Sequence, residues 1–324
     1  MIITRTPFRI SFVGGGTDLA SYYGTGYGAV INATINKYIY VTVNRRFDDS
    51  IRVSYSRTEI VDRVDELQHD IVREALNMVG ITKGIEITSV SDIPAGTGLG
   101  SSSSFTVGLL NALYTYIGQQ RSAHELAEKA YRLEHDLLHH PVGKQDQFAA
   151  AYGGLNYFCF RQDESVTYQP LRLDETQMTE MSEHLSMWYT GISRSADTIL
   201  KRQSEDTAKK LPVLDFMRTQ ADELLRDMTE HGFSESFAEA LRLGWEKKRS
   251  LVSGISSDGI DALYETAMQN GAKGGKILGA GGGGFLLFYC DPEDKERMAE
   301  KLGLTEFRFR FTNHGSRVVY FSED

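Results

Sequence analysis

A stretch rich in glycine and serine, residues 94–104, holds the residue types best suited to binding phosphate, and it reads PAGTGLGSSSS. A predicted strand at residues 85–90 precedes it, and the apolar residues 105–117, which predict a buried helix, follow it. Glycines let backbone N–H groups converge on an anion, and a helix start adds unpaired donors and a positive dipole end. The predicted phosphate-binding residues are Pro94, Gly96, Gly98, Leu99, Gly100, Ser101, Ser102, Ser103 and Ser104.

Two common nucleotide-binding motifs do not match this loop. A Walker A motif needs Gly-Lys followed by Ser or Thr, whereas Gly275-Lys276 continues into Ile277. A dinucleotide-binding fingerprint has a wider glycine spacing and an acidic residue after a second strand, and neither follows here. A tight strand-to-helix turn with a serine cap is the structural alternative to a phosphate site.

The composition limits the class of protein. The chain has 324 residues with 35 basic and 44 acidic side chains, a net charge of −9, and 41% hydrophobic residues, which is typical of a folded protein. The negative charge argues against broad contact with nucleic acid. From the N-terminal sequence we expect no signal peptide, and no apolar run is long enough for a membrane span. Two cysteines, Cys159 and Cys290, cannot form a disulfide framework, so we expect a cytoplasmic protein.

Strand and helix patterns alternate along the chain and predict an α+β fold with mixed or antiparallel sheets. The length favours two domains, which we divide at the polar residues 161–164 into 1–165 and 166–324. Predicted strands are 31–43, 51–55, 85–90, 155–160, 165–171, 185–189, 285–290, 307–311 and 318–321; predicted helices are 66–78, 105–117, 123–138, 147–152, 196–208, 214–230, 235–250, 260–269 and 293–302.

Three motifs in order identify a resemblance that spans essentially the whole chain. The sequence TPFRISF followed by GGGTD at residues 6–18 comes first, the glycine–serine stretch second, and GAGGGGF at residues 279–285 third. This pattern resembles the GHMP kinases, the family of galactokinase, homoserine kinase, mevalonate kinase and phosphomevalonate kinase. The resemblance implies an ATP-dependent small-molecule kinase, with an N-terminal domain like ribosomal protein S5 domain 2, a ferredoxin-like C-terminal domain, and ATP in the cleft between them.

The resemblance also implies roles for individual residues. Ser102 and Glu134 match the family's Mg²⁺ ligands, and Asp146 matches its catalytic aspartate, with Lys144 and Arg9 expected beside it. Mg²⁺ takes oxygen ligands and a carboxylate can orient an attacking hydroxyl, so the residue types suit phosphoryl transfer. The structural alternatives are a helix-capping role for Asp146 and an exposed position for Glu134. The third glycine cluster, which includes GAGGGGF at residues 279–285, is expected to pack against the glycine–serine stretch 94–104, which we call the phosphate loop.

The first motif indicates the acceptor. Its Gly15, Gly16, Thr17 and Asp18 are the predicted substrate-binding residues, and Asp18 matches an acidic residue that reaches sugar hydroxyls in the sugar-kinase branch. The triple glycine resembles the branch that phosphorylates D-glycero-D-manno-heptose 7-phosphate at C1. Arg194, at the start of a predicted helix, would hold the acceptor's own phosphate, although a solvated arginine in a helix cap is equally compatible with the pattern.

Other acceptors and functions remain open at the level of sequence. Fucokinase-type proteins have a related glycine pattern, and a fucokinase- or galactokinase-like enzyme acting on a free sugar is the main alternative. A mevalonate-type kinase is disfavoured by the sugar-type Asp18. A non-catalytic binding module is disfavoured because Asp146, Glu134 and Ser102 are all present. The expected partners are ATP, Mg²⁺ and a sugar phosphate, and a homodimer is left open.

Overall fold

The computed structural model describes residues 1–192, 199, 201–202 and 207–322. Arg194 and most of the predicted helix 196–208 lie outside these described residues. The described strands are β1 (Ile2–Val13), β2 (Tyr27–Arg45), β3 (Ile51–Ser54), β4 (Thr58–Val61), β5 (Ile85–Ser91), β6 (Leu155–Arg161), β7 (Val166–Pro170), β8 (Leu185–Tyr189), β9 (Ala272–Ile277), β10 (Phe285–Cys290) and β11 (Arg317–Phe321). The described helices are α1 (Ala20–Tyr23), α2 (Asp70–Val79), α3 (Ser101–Tyr116), α4 (Ala123–Tyr131), α5 (Gln145–Tyr152), α6 (Glu175–His184), α7 (Thr207–His231), α8 (Ser236–Lys248), α9 (Asp258–Gln269) and α10 (Lys295–Leu302).

The long strand β2 organises the first sheet. One edge of its 19 residues pairs with β1, while the other edge pairs with β6 near the start of β2 and with β5 near its end. The helix that follows the phosphate loop, α3, packs against β1 and β2. Its apolar side chains are buried almost all round, as the sequence predicts. The first sheet therefore holds the start of α3, and with it the phosphate loop, in a fixed position.

A second, three-stranded antiparallel sheet has the order β8–β10–β9. Every residue of its central strand β10 is buried, and α8 packs against β9. The buried Lys276 of β9 joins the two sheets, because its Nζ donates to the carbonyls of Ser11 (2.8 Å) and Phe12 (2.7 Å) in β1. None of the described helices has the length and apolar character that a membrane crossing requires.

Strand pairing carries the first sheet beyond the predicted division at 165/166. Strand β7 pairs with β6, and β11, from the end of the chain, pairs with the outer edge of β1. The first sheet thus takes its last two strands, β7 and β11, from the second predicted domain. The division into 1–165 and 166–324 stays a prediction about the two family domains.

The predicted strand at 307–311 is wrong. The segment makes isolated bridges, Trp188 with Glu306 at one end and Ile35 with Phe311 at the other. It crosses from the second sheet to the first, so its alternating phenylalanines pack against both without a continuous ladder. The predicted helix 123–138 also changes form, because α4 gives way to a π-helical segment, Arg132–Leu137.

Candidate active site

A cleft of about 930 Å³ lies where the two sheets meet. Its walls come from the first glycine motif, the phosphate loop, the segment between α4 and α5, the end of α8 and the glycine stretch 279–283. Both sheets thus contribute to one site. All three sequence motifs lie along this cleft, although they are far apart in the chain.

The phosphate loop is held by direct backbone contact with the third glycine motif. Gly98 has φ +84°, and a Cβ built on it would lie 2.5 Å from the carbonyl oxygen of Leu278. A Cβ on Gly279 would lie 2.5 Å from the Cα of Gly98. Only residues without a side chain allow this approach. The expected packing of the third glycine cluster against the phosphate loop is confirmed.

The four serines of the loop divide into two pairs. Ser103 donates its hydroxyl to Glu134 Oε2 (3.1 Å), and Ser104 donates to the carbonyl of Pro7 (2.9 Å), so these two hydroxyls have partners within the protein. Ser101 and Ser102 are less buried and line the cleft.

The other predicted phosphate-loop residues also divide. Pro94, Gly96, Gly98 and Gly100 line the cleft. Leu99 is fully buried in the core and its carbonyl accepts the N–H of Arg9 (3.1 Å). The side chains of Leu99 and Ser104 therefore pack within the protein and support the loop. Neither side chain lines the cleft, which differs from the nucleotide contact predicted for them.

Arg9 and Asp146 form the central ion pair of the cleft. Arg9 Nε and Nη2 each donate to one oxygen of Asp146, both at 2.7 Å, and Arg9 Nη1 donates to the carbonyl of Gly98 (2.7 Å). Such a paired geometry fixes the orientation of the carboxylate. Arg9 thereby connects the candidate base at the start of α5 to the phosphate loop.

Lys144 does not reach the cleft, which corrects its predicted place beside Asp146. Its buried Nζ donates to the carbonyl of Glu164 (2.8 Å) and pairs with the carboxylate of the same residue (2.5 Å). The ammonium also lies 5.1 Å from the ring centres of Tyr23 and Tyr131. A lysine held between two rings and a carboxylate anchors the start of α5. The side chain of Lys144 therefore points away from the cleft that Asp146 lines.

The first glycine motif presents Asp18 to the cleft. This side chain is 4% exposed, Oδ1 accepts the N–H of Gly16 (2.9 Å), and Oδ2 accepts the N–H of Gln145 (3.3 Å). Burial, followed by the nearby Asp146, raises the pKa of Asp18. A Cβ on Gly143 would lie 2.0 Å from Asp18 Oδ2, so this glycine is needed for the carboxylate to fit.

Gly15 and Gly16 line the cleft with Asp18, but Thr17 does not. Thr17 is fully buried, and its hydroxyl lies 2.8 Å from the carbonyl of Gly14 and accepts the N–H of Ala29 (3.0 Å). The predicted substrate contact of Thr17 is therefore replaced by a structural one, which fixes the loop to β2.

Glu134 and Ser102 fit a magnesium ion. Glu134 is fully buried in the π-helical segment and lines the cleft; its Oε1 has no partner among the described residues. Burial raises the pKa of Glu134 to about 7. No group of three or more His, Cys, Asp and Glu side chains in the described part of the chain could hold a metal. A carboxylate with a free oxygen and one hydroxyl suit Mg²⁺, which takes few protein ligands when phosphates supply the others.

Three further polar residues surround the first glycine motif and were not predicted. A Cβ built on Gly15 would lie 3.4 Å from Ser11 Oγ, 3.7 Å from Gln145 Nε2 and 3.9 Å from Lys248 Nζ. Ser11 Oγ and Gln145 Oε1 are buried without a partner among the described residues. Ser11 lies inside the first motif and Gln145 directly precedes Asp146, so their sequence positions could have indicated a place at the site. The position of Lys248 carried no such signal, because a basic residue at a helix end is common.

Comparisons with known proteins identify the relatives of this chain. A family model described as GHMP kinases N terminal domain matches residues 66–154, and one described as GHMP kinases C terminal matches residues 220–306. A D-glycero-alpha-D-manno-heptose 7-phosphate kinase of Campylobacter jejuni is 31% identical over 93% of both chains. An L-fucokinase/L-fucose-1-P guanylyltransferase of Bacteroides fragilis is 29% identical over 92% of this chain but 35% of its own length. The crystal structure of a D-glycero-D-manno-heptose 1-phosphate kinase from Bacteroides thetaiotaomicron covers 100% of both chains at 25% identity, with a TM-score of 0.83.

Proposed function

The chain belongs to the GHMP kinase family and is an ATP-dependent sugar kinase, and we propose that its acceptor is the C1 hydroxyl of D-glycero-D-manno-heptose 7-phosphate. The product would be the 1,7-bisphosphate, an intermediate suited to making nucleotide-activated heptose for surface polysaccharides. The observation that carries the proposal is the buried Asp18, which follows the triple glycine and lines the same cleft as Asp146. The heptose kinases among the relatives and solved structures support this choice of acceptor.

In this proposal Asp146 orients the C1 hydroxyl and accepts its proton. Arg9 keeps the carboxylate aimed into the cleft through its two hydrogen bonds. Asp18 accepts hydrogen bonds from other sugar hydroxyls, because each of its oxygens has spare lone pairs beyond the two backbone donors. The two carboxylates thus divide the work of binding and proton acceptance.

The phosphate loop binds the nucleotide in this proposal. Backbone N–H groups at the start of α3 face the phosphates, and the fixed contact between Gly98 and Gly279 holds them in place. Glu134 and Ser102 would hold Mg²⁺, which neutralises charge on the phosphates when bound. Little covalent chemistry is asked of the protein, since phosphoryl transfer depends mostly on positioning and electrostatics.

A free-sugar kinase is the second candidate, and one feature of the cleft favours it. Arg9 and Lys248 are the arginine and lysine side chains that line it within the described residues, and Arg9 is already paired with Asp146. A dianionic 7-phosphate needs cations of its own. Arg194, predicted to supply one, lies outside the described residues. The L-fucokinase and galactokinase relatives keep this alternative open.

Kinetics on matched acceptors decide between the two. We expect kcat/KM for heptose 7-phosphate to exceed that for free heptose at least tenfold, because binding energy at a remote phosphate helps to orient the reacting hydroxyl. Arg194→Ala should remove most of this preference and leave the KM for ATP unchanged, while Arg172→Ala, an exposed control, should preserve it. Equal kcat/KM values for the two sugars in the wild type would assign the protein to the free-sugar kinases.

A further inference from the structure

We propose that Lys248 is a catalytic residue whose ammonium group contacts the γ-phosphoryl group of ATP as it moves to the acceptor. This inference rests on the kinase function proposed above, but not on the identity of the sugar. Lys248 ends α8 in the second half of the chain, and none of the three sequence motifs contains it.

Lys248 can supply positive charge to the reacting phosphoryl group. The transferred phosphoryl group carries negative charge on its equatorial oxygens and needs cations near it. Within the described residues, the lysine and arginine side chains that line the cleft are Arg9 and Lys248. The guanidinium of Arg9 is directed to Asp146 and to the carbonyl of Gly98. Lys248 is therefore the lining cation that can turn to a phosphoryl group.

The ammonium of Lys248 is close to both the phosphate loop and the first glycine motif. Lys248 Nζ donates to the carbonyl of Gly279, the residue packed directly on Gly98 of the phosphate loop. The same Nζ lies 3.9 Å from a Cβ built on Gly15 of the first glycine motif, which binds the acceptor in the proposed function. The ammonium therefore lies between the loop that binds the phosphates and the loop that binds the acceptor. A phosphoryl group passing from one to the other must come close to it.

Within the described structure, Lys248 has hydrogen-bond donors that the protein does not use. An ammonium has three N–H donors, and within the described structure Lys248 uses one of them, on Gly279. The side chain is only 5% exposed, so water does little to satisfy the other two. Leaving donors of a buried cation unpaired is costly unless a ligand accepts from them. A phosphoryl oxygen is an acceptor of the right charge.

The charged groups around Lys248 decide when it is protonated. Arg9 from β1 and Lys276 from β9 repel its charge, while Asp18 and Asp146 attract it. Burial, followed by Arg9, lowers the pKa of Lys248 to about 8. In the free enzyme the ammonium group of Lys248 therefore loses its proton, and with it the positive charge, as the pH rises through about 8. A bound phosphate would hold the proton on, so kcat should decline at a higher pH than kcat/KM does.

Atoms and electrons balance in the proposed phosphoryl transfer. The acceptor oxygen forms a bond to the γ-phosphorus, the bond from that phosphorus to the bridging oxygen of ADP breaks, and the hydroxyl proton passes to Asp146. Lys248 neither gives nor takes a proton or an electron pair. Its contribution is electrostatic, made by an ammonium that the fold has already placed.

Three variants test the inference. Lys248→Met removes the charge and keeps the aliphatic length, Lys248→Arg keeps the charge, and Lys247→Met is a control on the exposed neighbour, whose ammonium lies over Phe216. Calorimetry in the presence of Mg²⁺ compares the affinity for ADP with that for a non-hydrolysable ATP analogue. ADP release measures kcat on whichever sugar the wild type phosphorylates.

We expect Lys248→Met to bind ADP normally, to lose about tenfold in affinity for the ATP analogue, and to lose about 100-fold in kcat. Lys248→Arg should recover part of both, and its kcat/KM should no longer decline near pH 8. An unchanged ratio of ATP-analogue to ADP affinity in Lys248→Met would overturn the inference, and this comparison needs no acceptor. A wild type inactive on every sugar tested would instead count against the proposed function.

Discussion

Replacing Asp146 by asparagine perturbs both the chemistry and the ion pair that orients it. The carboxylate accepts two hydrogen bonds of 2.7 Å from Arg9 and lies in the first turn of α5. An asparagine keeps one acceptor oxygen, but its amide hydrogens then face the N–H groups of the guanidinium. The substitution therefore removes the proton acceptor and leaves the side chain of Arg9, which is 4% exposed, half paired.

Two magnitudes follow from this geometry. Breaking a fully buried pair costs about 3–5 kcal/mol, and because the Asp146 side chain is 24% exposed we expect a loss of about 2 kcal/mol in unfolding free energy. The loss of a general base costs 10²–10⁴-fold, so we expect kcat to fall about 10³-fold, which corresponds to about 4 kcal/mol. A typical domain stability of about 5–15 kcal/mol leaves the variant folded at 25 °C.

ADP release, calorimetry and thermal unfolding of Asp146→Asn separate these effects. ATP should bind within about threefold of wild type, since the loss belongs to the transition state more than to ground-state binding. Asp163→Asn, an exposed aspartate in the turn between β6 and β7, is the control and should keep both activity and stability. A kcat within tenfold of wild type in Asp146→Asn would refute the assignment of the base.

Two further predictions concern the phosphate loop and the metal. Gly98→Ala should lower ATP affinity at least tenfold and reduce the melting temperature, because its Cβ would lie 2.5 Å from the backbone carbonyl oxygen of Leu278. The control Gly118→Ala, where φ is also positive but the space around the Cβ is open, should reduce stability only. Equal ATP affinity in the two variants would contradict this prediction. Ser102→Ala and Glu134→Gln should each raise the Mg²⁺ concentration for half-maximal activity about tenfold, with Glu223→Gln as the exposed control, and an unchanged Mg²⁺ dependence would show that the metal is held elsewhere.

The local features of the site could be predicted because they depend on backbone conformation. Gly98 and Gly279 are 181 positions apart, yet each was marked by a glycine cluster whose purpose is close backbone approach. The buried helix after the loop followed from its apolar residues. Asp18 and Asp146 were located by motif order. These signals lie in residue type and spacing, and tertiary packing does not change them.

Side-chain direction could not be predicted in the same way. Lys144 is two residues from Asp146, but the rings of Tyr23 and Tyr131 and the carboxylate of Glu164 draw it to the opposite side of the chain. Lys248 comes from a helix whose sequence resembles any amphipathic helix with basic residues at its end. Both outcomes depend on partners far away in sequence. The strand predicted at 307–311 failed for the same reason, since its neighbours belong to two different sheets.

Some of the buried polar atoms that lack a partner among the described residues belong to side chains that line the cleft, where the proposed ligands would bind. Ser103, Ser104 and Lys276 are buried polar residues whose hydrogen bonds end on protein oxygens, so they stabilise the fold itself. Glu134 Oε1 and Gln145 Oε1 are buried at the cleft with no partner in the described structure. Each such atom costs about 1–3 kcal/mol in the free protein. Folding alone does not recover that cost. In the proposed function a cation at Glu134 and a sugar hydroxyl at Gln145 would recover it, which assigns these atoms to the proposed site and not to the core.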